Sequence, residues 1–310
     1  MFTRRIFLAS TAAAVALAGC STGDPLAGQS PGEAGQESDG AAVVTVGSAG
    51  FAESEILAEI YAQSLEANGY TVERRMQIGS REAYIAALDD GSIDFIPEYS
   101  GNLLQYYNPD SDAASSQDVE AALRDALPEG MRVLEASLAE DADSWCVTAE
   151  FSQANGITSL ADLAGYEGEL RIAGNPELAE RPYGPLGLTQ IYGVPAEQMS
   201  FTPIDDSGGP LTVEALTSGE VDLADIFSTT PAIADEGLVV LEDPENMIAA
   251  QNVLPLLSDR VPSDVEPVLD AVSAELTTDD LITMNARNSG DEKASPATIA
   301  ADWLAERGLS

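Results

Sequence analysis

Short apolar runs alternate with longer stretches in which apolar side chains recur every three or four positions, and the alternation continues from Val43 to about Val261. Val43-Val44-Thr45-Val46 predicts a buried strand. Ile56, Leu57, Ile60, Tyr61 and Leu65 fall on one face of a helix from Glu55 to Ala67, which Asn68-Gly69 ends. Tyr70 to Met76 is β-rich, Ser80 is placed to cap a helix running to Asp90 with Gly91 as terminator, and Ile93-Asp94-Phe95-Ile96 predicts the next strand. The same rhythm returns from Leu170 through Val240, so the chain reads as α/β layers with largely parallel sheets. After Val261 the pattern becomes three consecutive helices, near Ser263–Leu276, Thr278–Ala286 and Ser295–Glu306.

One stretch echoes another. Ala87-Leu88-Asp89-Asp90-Gly91-Ser92-Ile93-Asp94-Phe95-Ile96-Pro97-Glu98-Tyr99-Ser100 aligns without gaps on Ala215-Leu216-Thr217-Ser218-Gly219-Glu220-Val221-Asp222-Leu223-Ala224-Asp225-Ile226-Phe227-Ser228. Each is a helix end, a glycine, a short strand and an aromatic followed by serine. Open α/β sheets bind ligands outside the carboxyl ends of their strands, so two matching lobes would each present an aromatic, Tyr99 and Phe227, to a shared cleft.

Composition narrows the chemistry. The 310 residues carry 53 Asp+Glu against 13 Lys+Arg, a formal charge of -40, and Lys293 is the only lysine. Such a field disfavours nucleic acid, whose phosphates need basic partners, and anionic lipid headgroups. The chain has no histidine, which excludes Ser-His-Asp and Cys-His nucleophile pairs, His-ligated zinc and a histidine general base. Asp206-Ser207-Gly208-Gly209-Pro210-Leu211 copies a serine-protease nucleophile segment, yet no base can take the serine proton; Gly208-Gly209 read as a turn and Pro210 as a helix start. Acid pairs are too frequent by chance to indicate a glycosidase, and Asp110-Ser111-Asp112 lacks the glycine and closing glutamate of a calcium loop. No enzyme, metal site or cofactor is expected.

The first nineteen residues read as an export signal: Arg4-Arg5, then an uncharged stretch from Ile6 to Ala18, shorter than the roughly 20 apolar residues that span a bilayer. Thr3-Arg4-Arg5-Ile6-Phe7-Leu8 resembles a twin-arginine signal, and Leu17-Ala18-Gly19-Cys20 resembles a lipobox, which implies lipidation of Cys20 and anchoring at the outer face of the cytoplasmic membrane. Residues 20–42, rich in Gly, Ser and acids, would form a leash reaching on the order of 25 Å. With Cys20 acylated, Cys146 is the only other cysteine and no intramolecular disulfide can form. A dense carboxylate surface on an exported chain also suits a salty exterior, where ions screen its self-repulsion.

Gly47-Ser48-Ala49-Gly50-Phe51-Ala52-Glu53, then Ile56 through Gln63, then Asp94 through Glu98-Tyr99-Ser100-Gly101 resemble the substrate-binding lipoproteins of ABC importers for glycine betaine, carnitine, choline and related osmoprotectants. The resemblance covers nearly all of Val43 to Leu309 and implies a two-lobed type II periplasmic-binding-protein fold closing on its ligand by a hinge. Residues 43–143 and 253–310 would form lobe 1 and residues 144–252 lobe 2, in a monomer that delivers its ligand to ABC permease subunits. The resemblance also implies an aromatic cage for a quaternary ammonium group, which has no N–H to donate and is held by ring faces. Matched position by position, the cage residues are Tyr99, Trp145 and Phe227, and the polar ligand-binding residues are Asp143, Asn102, Arg181, Gln251 and Ser48. Arg181 stands where the family holds a carboxylate, while Ala49 and Gln251 depart from the betaine-binding pattern and favour choline, carnitine or a larger betaine. Several of these residues have plainer readings. Trp145 and Phe227 also suit a core, and Arg181 also suits pairing with Glu177 or Glu180. A second function shares the fold: a surface sensor or scavenger of another small cation without transport coupling.

Overall fold

The computed structural model describes residues 43–310; the expected export signal, Cys20 and leash lie outside the described residues. Ten strands occur in chain order: β1 (Val43–Gly47), β2 (Thr71–Arg75), β3 (Phe95–Tyr99), β4 (Met131–Val133), β5 (Trp145–Val147), β6 (Leu170–Gly174), β7 (Met199–Pro203), β8 (Leu223–Asp225), β9 (Val239–Val240) and β10 (Val253–Ser258). They form two five-stranded sheets, ordered β2-β1-β3-β10-β4 and β7-β6-β8-β5-β9. The second order repeats the first, so β3 and β8, the strands of the sequence echo, hold the same central place in their sheets.

The expectation of largely parallel sheets needs correction. Parallel pairing joins β1 to β2 and β3, and β6 to β7 and β8, whereas β10 and β5 pair antiparallel with both neighbours. Topology supplies the reason. The chain passes from β4 in the first sheet to β5 in the second and returns from β9 to β10. The carboxyl ends of the parallel strands face the other lobe, so a strand entering from that side must run against them. The two crossing segments lie side by side: Glu140 bridges Asn252 in antiparallel sense, and the Asp141 N–H donates to the Gln251 carbonyl at 3.1 Å.

Strand β3 begins at Phe95, two residues beyond the expected Ile93. Asp94 is occupied otherwise, since its carboxyl accepts the Thr45 N–H at 3.0 Å and Arg260 Nε at 3.2 Å. The first long helix, Ala52–Ala67, is buried over most of its surface because the C-terminal helices Glu266–Glu275, Thr278–Ser289 and Pro296–Arg307 cover the side that the sheet does not. The C-terminal helices thereby join the first lobe's core. The Tyr61 hydroxyl meets Ser273 Oγ at 2.9 Å inside that core, and burial pushes its pKa up, so it stays protonated. The protease-like segment is a helix start: Gly208 takes φ +66°, the helix runs from Pro210 to Thr217, and the Asp206 carboxyl accepts the Leu211 N–H at 2.6 Å and the Thr212 hydroxyl at 2.6 Å.

Candidate functional site

A cavity of about 550 Å³ opens between the two sheets, lined from both sides. Its aromatic wall is a cluster of three rings. Phe51 sits at the turn between β1 and the first helix, 6.0 Å centroid to centroid from Tyr99 and 5.5 Å from Phe227, the latter edge-on at 67°. Tyr99 ends β3 and Phe227 follows β8, so the two echo positions meet at one place, with Phe51 joining them. Tyr84 and Tyr183 add two further phenol rings to the lining.

Beneath the rings lies a buried polar frame. The Glu53 carboxyl accepts the Tyr99 hydroxyl at 2.7 Å, the Thr229 hydroxyl at 2.6 Å and Asn285 Nδ2 at 2.6 Å, tying the cage to the second lobe and to the C-terminal helices. Arg81 grips Glu98 with two nitrogens, Nε to Oε1 at 2.8 Å and Nη2 to Oε2 at 3.0 Å, while the Tyr84 hydroxyl donates to Glu98 Oε1 at 2.7 Å. Among 53 acids, Glu98 is one of the few fully enclosed, at 1% exposure, and Arg81 is the partner that makes that burial tolerable.

The lining is also acidic. Asp141, Asp143 and Asp225 all line the cavity and are all buried. Asp143 accepts Asn102 Nδ2 at 2.6 Å, and Asp141 accepts the Thr229 N–H at 3.0 Å. One Asp225 oxygen has no hydrogen-bond partner. Burial raises all three carboxyls above their ordinary range, with the neighbouring charges of Glu53 for Asp141 and Asp143 for Asp225 adding to the effect. A carboxyl whose pKa is raised by folding contributes stability below its unfolded value and loses it as pH rises through the folded value. A bound cation favours the ionised forms, so its affinity should increase with pH across that window, by up to about tenfold per pH unit for each proton displaced. Thermal unfolding from pH 4 to 8, with and without choline, should show a ligand-induced shift that widens with pH; a shift independent of pH would rule out proton displacement.

The residues expected from the sequence separate into two groups. Tyr99, Phe227, Asn102, Asp143 and Arg181 line the cavity. Trp145, Gln251 and Ser48 do not, and each has a different place. Trp145 is 2% exposed in the second lobe's apolar core, where its indole N–H donates to the Tyr183 carbonyl at 3.2 Å. Its indole N–H therefore braces the Tyr183 backbone and its ring does not line the cavity, because β5 is an interior strand whose residues are all buried. Gln251 is wholly buried and closes on Asn102, accepting its N–H at 2.9 Å and donating to Oδ1 at 2.7 Å; it thereby orients the amide that reaches Asp143. Ser48 Oγ accepts the Gln77 N–H at 2.8 Å and donates to the Ala49 carbonyl at 3.0 Å, shaping a loop of the lining. Arg181 pairs with neither Glu177 nor Glu180 but with Glu82 of the opposite lobe, Nη2 to Oε1 at 2.7 Å. Phe51, Arg81, Tyr183 and Asp225 were not expected. Phe51 lies inside the Gly47 to Glu53 motif, at the same kind of strand-to-helix turn that marks Tyr99, and that position is the signal for it.

Residues 42–306 match the family described as the substrate-binding domain of ABC-type glycine betaine transport systems. The chain is 26% identical over 281 residues to the glycine betaine-binding protein YehZ of Escherichia coli K12, covering 86% of this chain and 92% of that one. It is 28% identical over 284 residues to the glycine-betaine-binding protein of Pseudomonas aeruginosa, covering 87% and 89%. A solved structure described as a glycine betaine/carnitine/choline ABC transporter superposes with a TM-score of 0.67 at 18% identity, covering 86% of this chain and 99% of the other. Two sheets of matching order facing one cavity are the two-lobed periplasmic-binding-protein architecture, and with the match over residues 42–306 this chain belongs to the family of substrate-binding domains of ABC-type glycine betaine transport systems, extracytoplasmic solute-binding proteins and not enzymes.

Proposed function

We propose that this protein captures a small quaternary ammonium solute of the choline, carnitine or betaine type and delivers it to the permease subunits of an ABC importer. The observation that carries the reading is the cluster of Phe51, Tyr99 and Phe227 sharing one cavity with buried carboxyls. A trimethylammonium group gains about 0.5–2 kcal/mol from each ring face, and buried carboxyls that ionise as it binds supply a countercharge little screened by water. The relatives named for glycine betaine support the same class. Tyr99, Phe227 and Phe51 serve as the cage, Asp143 as the anionic partner held by Asn102, which Gln251 orients, and the lobes divide at residues 143/144 and 252/253. Isothermal titration with choline, carnitine and glycine betaine tests the reading. Saturable binding of at least one of them is expected, and no heat with any of the three would overturn it.

Tethering is part of the same proposal. Cys20 carries the lipid that holds the protein at the outer face of the cytoplasmic membrane, supported by the Leu17-Ala18-Gly19-Cys20 motif. Mass spectrometry of the membrane fraction should find a diacylglyceryl adduct on Cys20, and a Cys20→Ser variant should leave that fraction.

A further inference from the structure

The two guanidinium groups in the cavity differ in how they are neutralised. Arg81 uses its Nε and Nη2 edge in full on Glu98, inside the first lobe. Arg181 turns the same edge toward a different situation: Nη2 is taken by Glu82 Oε1 at 2.7 Å, and Nε is buried with no partner at all. A carboxylate recognised by arginine is usually held by two parallel N–H donors, so half of such a fork is vacant in Arg181 and half is already filled by the protein's own acid. Glu82 reaches Arg181 from the opposite lobe, from the first turn of the helix Arg81–Asp90, and is 52% exposed at its side chain against 17% for Arg181. Burial works against its charge, yet hydrogen bonds from its own N–H, from Arg181 and from Ser80 hold its carboxyl below the usual range, so it is ionised at neutral pH.

Among the described residues no other cation reaches the lining unpaired. Each arginine among the described residues is engaged with a carboxylate. Lys293, the only lysine, is not part of the lining, and Ala49 provides no charge there. The lining holds five carboxyl groups against two guanidinium groups.

We propose that Glu82 is a specificity-determining positioning residue: by occupying Nη2 of Arg181 it masks the site's carboxylate fork, so that the cavity favours a quaternary ammonium ligand without a carboxylate over a zwitterion. This rests on the quaternary ammonium reading above. A zwitterion must displace Glu82 from Nη2 before both donors can reach its carboxylate, whereas a quaternary ammonium alcohol leaves the pair intact and adds only positive charge to an acidic cavity. Glu82 is not part of the cavity lining; it acts through Arg181.

The test is calorimetric titration of choline and of glycine betaine into the wild type, Glu82→Gln, Arg181→Gln and the Glu82→Gln/Arg181→Gln double variant. The readout is the ratio of the two affinities, which a general loosening of lobe closure would not move because it weakens both ligands alike. Wild type is expected to favour choline. Glu82→Gln should shift the ratio toward glycine betaine by about tenfold or more, and the double variant should lose that shift. A ratio unchanged by Glu82→Gln, or a shift that survives removal of Arg181, overturns the masking role while leaving the quaternary ammonium reading in place. Absence of binding by either ligand in every variant overturns both.

Discussion

Arg81→Ala should cost the fold about 3–5 kcal/mol, because it strands the Glu98 carboxyl at 1% exposure without its countercharge. The remaining donors, the Tyr84 hydroxyl at 2.7 Å and the Tyr99 N–H at 2.8 Å, keep two hydrogen bonds but supply no positive charge. Arg81→Lys should fall in between, since an ammonium cannot reproduce the two-nitrogen grip. The paired change Arg81→Met with Glu98→Gln should recover much of the loss, because the buried charge disappears along with its partner. Urea unfolding of the four proteins decides this. Arg81→Ala within 1 kcal/mol of wild type would show that water reaches Glu98 and that the pair is not a buried one.

Tyr99→Ala should weaken quaternary ammonium binding at least about thirtyfold, combining the lost ring face with the lost shape of the cage. It should also destabilise the protein by about 3–5 kcal/mol, as removal of a buried aromatic does, since Tyr99 is 7% exposed and packs in the first lobe's core. Tyr99→Phe separates the two roles. It keeps the ring 6.0 Å from Phe51 but removes the hydroxyl that donates to Glu53 at 2.7 Å. Affinity should then stay close to wild type while stability falls by about 1–3 kcal/mol for the unmet carboxyl oxygen. Calorimetry for binding and denaturant unfolding for stability measure each separately. Full affinity in Tyr99→Ala would remove this ring from the cage and leave Phe51 and Phe227 to form it.

The cage also depends on ties between the lobes. Glu53 gathers a tyrosine of the first sheet, a threonine of the second lobe and an asparagine of the C-terminal helices around one carboxyl. The Arg181–Glu82 pair is a second tie, and because the Glu82 side chain is half exposed the pair is sensitive to salt. For a protein with a formal charge of -40, ionic strength acts in two opposing ways: it relieves repulsion among surface carboxylates and it weakens that pair.

Much of the fold is a local matter and could be read directly. Helix periodicity places the three C-terminal helices, each of which buries a stripe that its own residues define, while the recurrence of Ile56, Leu57, Ile60, Tyr61 and Leu65 places Ala52–Ala67 although that helix is buried almost all round. The Tyr99 and Phe227 positions are likewise local, each marked by a glycine, a short strand and an aromatic before serine. Strand direction was less legible: nothing in Val253–Ser258 or Trp145–Val147 records that these strands enter from the far lobe and so run antiparallel.

By itself, then, the amino-acid order determined the α/β layering, the two aromatic marks on equivalent strands, the absence of histidine chemistry and the acidic surface. Only the tertiary structure decided which rings share a cavity and which charges are already spoken for. Trp145 was drawn into a core because its strand is interior, and Phe51 was brought between Tyr99 and Phe227 by a turn far from both in sequence. Arg181 met Glu82, 99 positions away, instead of its acidic neighbours. The physical reason is the same in each case. Periodicity and capping act within a few residues along the chain, whereas burial, ion pairing and cavity walls are set by side chains that only folding makes neighbours.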